Sequence, residues 1–143
     1  MKIAIVKETE DLEKRVAGTP ETVKKLISLG FSVDVEEDAG INSFFSNALY
    51  KTAGANIVSD TNTIVSSADI VLKVNNVHKD GKGADNIKYY KNKTKIIGFL
   101  KPLQNKEKIK DLANNNIDAF SVELIPRISR AQSMDALSSQ SNL

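Results

Sequence analysis

Three short runs are apolar at nearly every position: Ile3-Ala-Ile-Val6, Ile70-Val-Leu-Lys-Val74 and Ile96-Ile-Gly-Phe-Leu100. A strand with one solvated face alternates between apolar and polar residues, whereas these runs read as strands buried on both faces, as in a parallel sheet. Between them lie stretches with helical spacing, so strand and helix alternate along the chain. That rhythm predicts an α/β domain, Rossmann-like or flavodoxin-like, with a mainly parallel sheet and helices on both faces.

The punctuation supports this reading. Thr19-Pro-Glu21 is a helix start, with a capping hydroxyl, proline at the first helical position and an acid in the first turn. Val23, Leu26 and Ile27 give that helix one apolar stripe, and Gly30 stops it. Residues 31–35 form a second strand. Phe44, Phe45, Ala48 and Leu49 predict a second helix ending near Gly54, and 55–58 a brief third strand. A short helix follows at Ile64-Val65, and 69–74 is the next strand, with Lys73 inside it. Residues 75–92 read as a long loop with one helical turn, 95–100 as a strand closed by Pro102, and 106–116 as a polar helix carrying Ile109 and Leu112. The last strand spans 117–125 and ends at Pro126, which lacks a ladder donor.

At 143 residues the chain suffices for one domain with a real core. It has no apolar run near the length of a membrane span. It has no cysteine, which excludes disulfides and thiolate metal ligands and fits a cytosolic setting. The net charge of +2 hides an asymmetry, since 79–110 carries ten lysines against three acids. Those lysines are scattered through turns and a strand edge, which is a solvated surface rather than a nucleic-acid face. Against seventeen lysines stand three arginines, Arg15, Arg127 and Arg130, and arginine marks places that need a planar donor fork.

In parallel sheets, ligands sit at the carboxyl ends of the strands. That edge carries Lys7-Glu8, Lys73-Val74, Leu100-Lys101 and the Pro126 turn. Lys73 is either a strand-edge lysine that snorkels to water or a contact for an anion or carbonyl in the cleft. Arg15 either pairs with Glu8 or Glu13 at the surface or leans over the cleft to hold a carboxylate. Gly81-Lys-Gly-Ala-Asp-Asn86 starts like a dinucleotide fingerprint but has asparagine in place of the third glycine, so it reads as a loop. His78, in the same loop with no second histidine anywhere, reads as a surface residue. No set of residues has metal-ligand spacing. Gln132 and Asp135 are three apart, hence on one face of a helical turn just past Arg127, with Ser138 continuing that face. Together they offer donors and acceptors for a carboxamide and a ribose. A helix-capping network with Ser129 or Ser133 at its start accounts for the same spacing equally well.

At these residues the chain resembles a known family. Pro126-Arg-Ile-Ser-Arg-Ala-Gln-Ser-Met-Asp-Ala-Leu-Ser-Ser-Gln140 is similar to the signature of the alpha subunit of proton-translocating NAD(P) transhydrogenase, in a wider family with alanine dehydrogenase. Lys7-Glu8, Glu13-Lys-Arg-Val-Ala-Gly-Thr-Pro-Glu21, Val35-Glu-Glu-Asp-Ala-Gly40 and Ala53-Gly-Ala55 agree with it. The resemblance implies that residues 1–143 are the first domain of a two-domain subunit whose Rossmann half, absent here, would follow. It implies NAD(H) held by Arg127, Gln132, Asp135 and Ser138, with Gln132 and Asp135 as the catalytic residues: Arg127 and Asp135 orient the carboxamide, Gln132 sits at the hydride-exchange face and Ser138 supports. Hydride would pass directly to NADP(H) on a partner component, coupled to proton translocation by membrane subunits. Homodimeric alpha subunits, peripheral to the inner membrane on its cytoplasmic side and without nucleic acid, are the implied assembly.

In alanine dehydrogenase the positions matching Arg15 and Lys73 bind a keto acid, and a catalytic histidine follows the strand matching 96–100. Here that region reads Phe99-Leu-Lys-Pro-Leu-Gln104, without histidine. Hydride exchange between two nicotinamides needs no general acid, whereas an amino-acid dehydrogenase does. The transhydrogenase branch is therefore favoured. Alanine dehydrogenase and an inactive split or truncated gene product are the alternatives.

Overall fold

The computed structural model describes residues 1–77, 86–136 and 138. Six strands form one sheet: β1 (Lys2–Ile5), β2 (Ser32–Glu36), β3 (Asn56–Val58), β4 (Ile70–Leu72), β5 (Lys95–Gly98) and β6 (Asp118–Ser121). Every pairing is parallel, in the order β3-β2-β1-β4-β5-β6. This is the doubly wound Rossmann order, with its topological switch point between β1 and β4.

The α-helices of the described residues divide between the faces. Helices α1 (Pro20–Ser28) and α2 (Asn47–Thr52) pack with Ile3, Ile5, Val33 and Val35. Helices α3 (Thr61–Ser67) and α4 (Lys106–Asn114) pack on the opposite face with Ala4, Val71 and Ile96. Right-handed crossovers require this split: moving from β1 to β3 places helices on one side, and moving from β3 to β6 places them on the other.

Local chemistry explains the first helix. The Thr19 hydroxyl accepts from the Thr22 amide at 3.2 Å, Pro20 opens the helix, and Gly30 ends it at φ +91°. Val23 is fully buried under this helix.

Elsewhere the structure departs from expectation. Phe44 does not belong to a helical stripe. It follows a 3-10 turn over Ile41–Ser43, has φ +63° and is 94% exposed. α2 starts only at Asn47 and buries Tyr50 rather than Leu49. The short connection from Gly40 determines this: Tyr50 must reach back so that its hydroxyl donates to the Gly18 carbonyl at 2.8 Å. The last strand stops at Ser121, and residues Val122–Leu124 coil into a 3-10 turn before Pro126 is reached. Helix α4 ends at Asn114, two residues short of the predicted stop. The loop beginning at Asn75 contains the expected single turn, Ile87–Tyr89. His78 and most of the Gly81–Asn86 segment lie outside the described residues.

Candidate functional site

The carboxyl ends of β1 and β4 are tied together by Glu8. Its carboxylate accepts from the amides of Val74 at 2.7 Å and Asn75 at 3.2 Å. Two backbone donors beyond the last ladder bond of β4 are thus satisfied by an acid leaving β1, and Glu8 is 7% exposed as a result. Glu36 does the same one strand over, accepting from the Lys7 amide at 2.8 Å and from the Thr61 hydroxyl. Sequence reasoning placed Glu8 on this edge without assigning it a role. An acid directly after a buried strand was the available signal.

A cavity of about 340 Å³ opens at this edge, over the switch point. Arg15, Lys73, Phe99 and Ala136 are among the residues that line it. Lys73 lies just past β4 rather than inside it, although its amide still donates to the Ile97 carbonyl at 3.0 Å. It is 4% exposed. Gly98 makes this geometry possible, since a Cβ there would meet the Lys73 carbonyl oxygen at 2.7 Å.

Arg15 pairs with Glu13, as one reading expected, and does so at the cavity wall. Its Nε and Nη2 donate to Glu13 at 2.8 and 2.7 Å, and its guanidinium lies 5.8 Å from the centroid of the Phe99 ring at the cavity wall. Glu13 also accepts from Asn75 Nδ2 at 3.1 Å. The Arg15 hydrogen bonds hold the Glu13 carboxyl at about 2, well below the usual carboxylate range. Arg15 is therefore fixed at the cavity wall while its side chain remains 48% exposed.

The C-terminal signature is arranged differently. Residues Ser129–Met134 form a 3-10 helix, so Gln132 and Asp135 do not share an α-helical face. Asp135 is itself a cap. Its carboxylate accepts from the Ser138 amide at 3.0 Å and the Ser138 hydroxyl at 2.5 Å. The expected cap at Ser129 or Ser133 is not formed, since the 3-10 helix starts from Ile128 without a side-chain cap; the cap present is the one Asp135 makes to Ser138. Arg127 and Gln132 are exposed, and their side chains make no hydrogen bond or ion pair with another described residue. The cavity brings Arg15 and Lys73 together; of the described signature residues it includes only Ala136, the neighbour of Asp135.

Among the described residues no group of three or more His, Asp or Glu side chains could hold a metal ion. No described helix is long and apolar enough to cross a membrane.

A family model described as the N-terminal domain of alanine dehydrogenase/PNT matches residues 4–143. The chain is 45% identical over 143 residues to the first part of NAD(P) transhydrogenase subunit alpha from Rhodospirillum rubrum, covering all of this chain and 37% of that protein. It is 38% identical over 138 residues to alanine dehydrogenase 1 of Staphylococcus aureus, covering 96% of this chain and 35% of that protein. The crystal structure of transhydrogenase from Sinorhizobium meliloti superimposes with a TM-score of 0.91 at 40% identity, over 99% of this chain and 39% of that one. An L-alanine dehydrogenase shares the fold, with a TM-score of 0.81 at 24% identity over 91% of this chain and 34% of that one. The chain thus spans little more than a third of the length of the relatives it matches.

Proposed function

The chain belongs to the alanine dehydrogenase/PNT N-terminal domain family, and from that membership we propose that it is the portion of a transhydrogenase alpha subunit that positions NADH for hydride transfer. The cofactor supplies the hydride. This chain supplies binding, orientation and exclusion of competing chemistry. Hydride would pass directly to NADP⁺ on a partner component, coupled to proton translocation by membrane subunits, with the alpha subunits paired on the cytoplasmic side.

The observation that carries this reading is the state of Arg127 and Gln132. Both side chains stand exposed with no described partner, on a segment whose far end is held by the Asp135–Ser138 cap. A guanidinium and an amide with spare donors and an acceptor match a carboxamide. Asp135 and Ser138 order the segment and stand at the edge of the same site.

The second reading, an amino-acid dehydrogenase, draws on Arg15 and Lys73 sharing a cavity of suitable size for a small keto acid. Against it, the stretch Phe99–Gln104, which matches the place of the alanine dehydrogenase histidine, contains none. Fusing residues 1–143 to the remainder of the Rhodospirillum rubrum relative gives a testable subunit. In that fusion, assembled with its partners, Gln132→Asn should slow hydride transfer at least tenfold while NADH affinity changes less than threefold. Unchanged turnover rejects the Gln132 assignment. NADH oxidation dependent on pyruvate and ammonia would establish the second reading instead.

A further inference from the structure

Two loops at the carboxyl edge of the sheet hold large apolar side chains out in water. Leu12, in the loop after β1, is 95% exposed, and Phe44, in the loop after β2, is 94% exposed. Ile41, three residues before Phe44, is exposed as well. A lone exposed apolar residue needs no explanation. These occur together. The Ser43 hydroxyl donates to the Lys14 carbonyl at 2.5 Å, joining the loops two residues after Leu12 and one before Phe44. Neither Leu12 nor Phe44 lines the cavity at Arg15 and Lys73, so the surface they make is distinct from it.

Both side chains are held where they stand. Leu12 has φ +70° and Phe44 φ +63°, in the left-handed region that bulky residues rarely occupy. Around Leu12 the Glu13 amide closes a turn onto the Glu10 carbonyl at 3.1 Å. The Phe44 and Phe45 amides return to the carbonyls of Ile41 and Gly40, at 3.1 and 2.9 Å. Asn47 locks the second loop with both ends of its side-chain amide, accepting from the Asp38 amide and donating to the Asp38 carboxylate, each at 2.9 Å. An apolar surface fixed in advance gives up little conformational freedom when a partner binds.

Charge identifies what this surface fits. Residues 8–14 and 37–45 carry six acids against one lysine, in a chain of net charge +2. Glu8, Glu13 and Asp38 are engaged within the fold. Glu10, Asp11 and Glu37 are exposed, and their side chains make no hydrogen bond or ion pair with another described residue. Such a rim repels an anionic lipid surface and attracts cations. We propose that the Leu12–Phe44 surface is a docking site for a basic protein segment, which sets an aliphatic or aromatic anchor against Leu12 and Phe44 and lysine or arginine against Glu10, Asp11 and Glu37.

The probe is a short synthetic peptide of lysine and leucine, with a glutamate–leucine peptide of equal length as control, titrated into the isotope-labelled chain. The lysine–leucine peptide should shift the amide resonances of Leu12, Ile41 and Phe44, and the control should not. Phe44→Ser, and separately the pair Glu10→Lys with Asp11→Lys, should each weaken binding by about fivefold or more. Both should leave Tm within about two degrees, because these side chains are exposed. Added salt should weaken binding to the wild type more than to the charge-reversed pair. Equal binding of the two peptides, shifts scattered over the whole surface, or charge reversal without effect overturns the proposal. So does attachment to phosphatidylcholine vesicles that needs Phe44 but not the acids, which would make lipid the occupant. A chain that sediments as a dimer and becomes monomeric with Phe44→Ser overturns it in favour of a second copy. Repeating the titration on the Rhodospirillum rubrum fusion should give the same shifts; their loss there means that the subunit covers its own patch, and the proposal fails.

Discussion

The Glu13 carboxylate grips Arg15 through both Nε and Nη2, at 2.8 and 2.7 Å, and takes a third side-chain donor from Asn75. Its carboxyl is held at about 2 against an ordinary 4.5, chiefly by the Arg15 hydrogen bonds. A lowered folded-state value means stabilisation that is complete above the unfolded value and lost as pH falls through the folded one. Glu13→Gln should cost about 1–2 kcal/mol at neutral pH, discounted because Arg15 is half exposed. Urea denaturation should show that difference shrinking between pH 4.5 and about 2, as the wild-type carboxyl protonates. A difference that stays constant over this interval refutes the ion-pair explanation.

Tyr50 anchors Gly18, which lies between the cavity-lining residues Ala17 and Thr19. Its ring is fully buried and its hydroxyl donates to Gly18. Burial pushes its ionisation up to about 12. Here the sign reverses: a raised phenol contributes stability that is complete below the unfolded value near 10 and lost as pH rises through the folded one. Tyr50→Phe should cost about 1–2 kcal/mol at pH 7 by orphaning the Gly18 carbonyl. It should also flatten the loss of stability between pH 10 and 12, measured by circular dichroism. Retention of the full alkaline loss assigns it to other groups.

How far the sequence spoke for the structure depends on the range of the interactions. The parallel sheet was legible because Ile3–Val6, Ile70–Val74 and Ile96–Leu100 are apolar on both faces. The start of α1 was legible because Thr19, Pro20 and Glu21 act within one turn. Phe44 misled because its spacing fits a helix, while the contact that decides the segment, Tyr50 to Gly18, spans 32 positions. The role of Glu8 was not legible for the same reason, since its carboxylate accepts from the Asn75 amide across 67 positions. In the C-terminal signature, residue types pointed to a polar site, but a 3-10 helix and an α-helix cannot be told apart from Gln132 and Asp135 alone.

Gly98 sets how closely β5 approaches the end of β4. A Cβ there would lie 2.7 Å from the Lys73 carbonyl oxygen and 3.3 Å from its carbon, both backbone atoms with little freedom to yield. Gly98→Ala should therefore destabilise the fold by about 1–3 kcal/mol, lowering Tm by several degrees. It should also displace Lys73 from the cavity wall, visible as a shift of the Lys73 amide resonance. Gly30→Ala makes a useful contrast, because its strain is in the backbone at φ +91° with no atom within 4 Å of the added carbon. It should lower stability without moving Lys73. A Gly98→Ala protein as stable as wild type would show that the two strands can separate at no cost.

Asp135 offers a way to separate holding the segment from touching the cofactor. Its carboxylate oxygens accept from the amide and hydroxyl of Ser138, which an asparagine can partly reproduce and an alanine cannot. Asp135→Ala should cost about 1 kcal/mol and, in the full subunit, weaken NADH binding roughly tenfold because Arg127 and Gln132 lose their fixed platform. Asp135→Asn should restore most of both, since one side-chain oxygen still caps the turn. Parallel thermal melts and NADH fluorescence titrations of the two variants decide the matter. If asparagine rescues stability but not affinity, the negative charge itself faces the cofactor, and capping is only its structural duty.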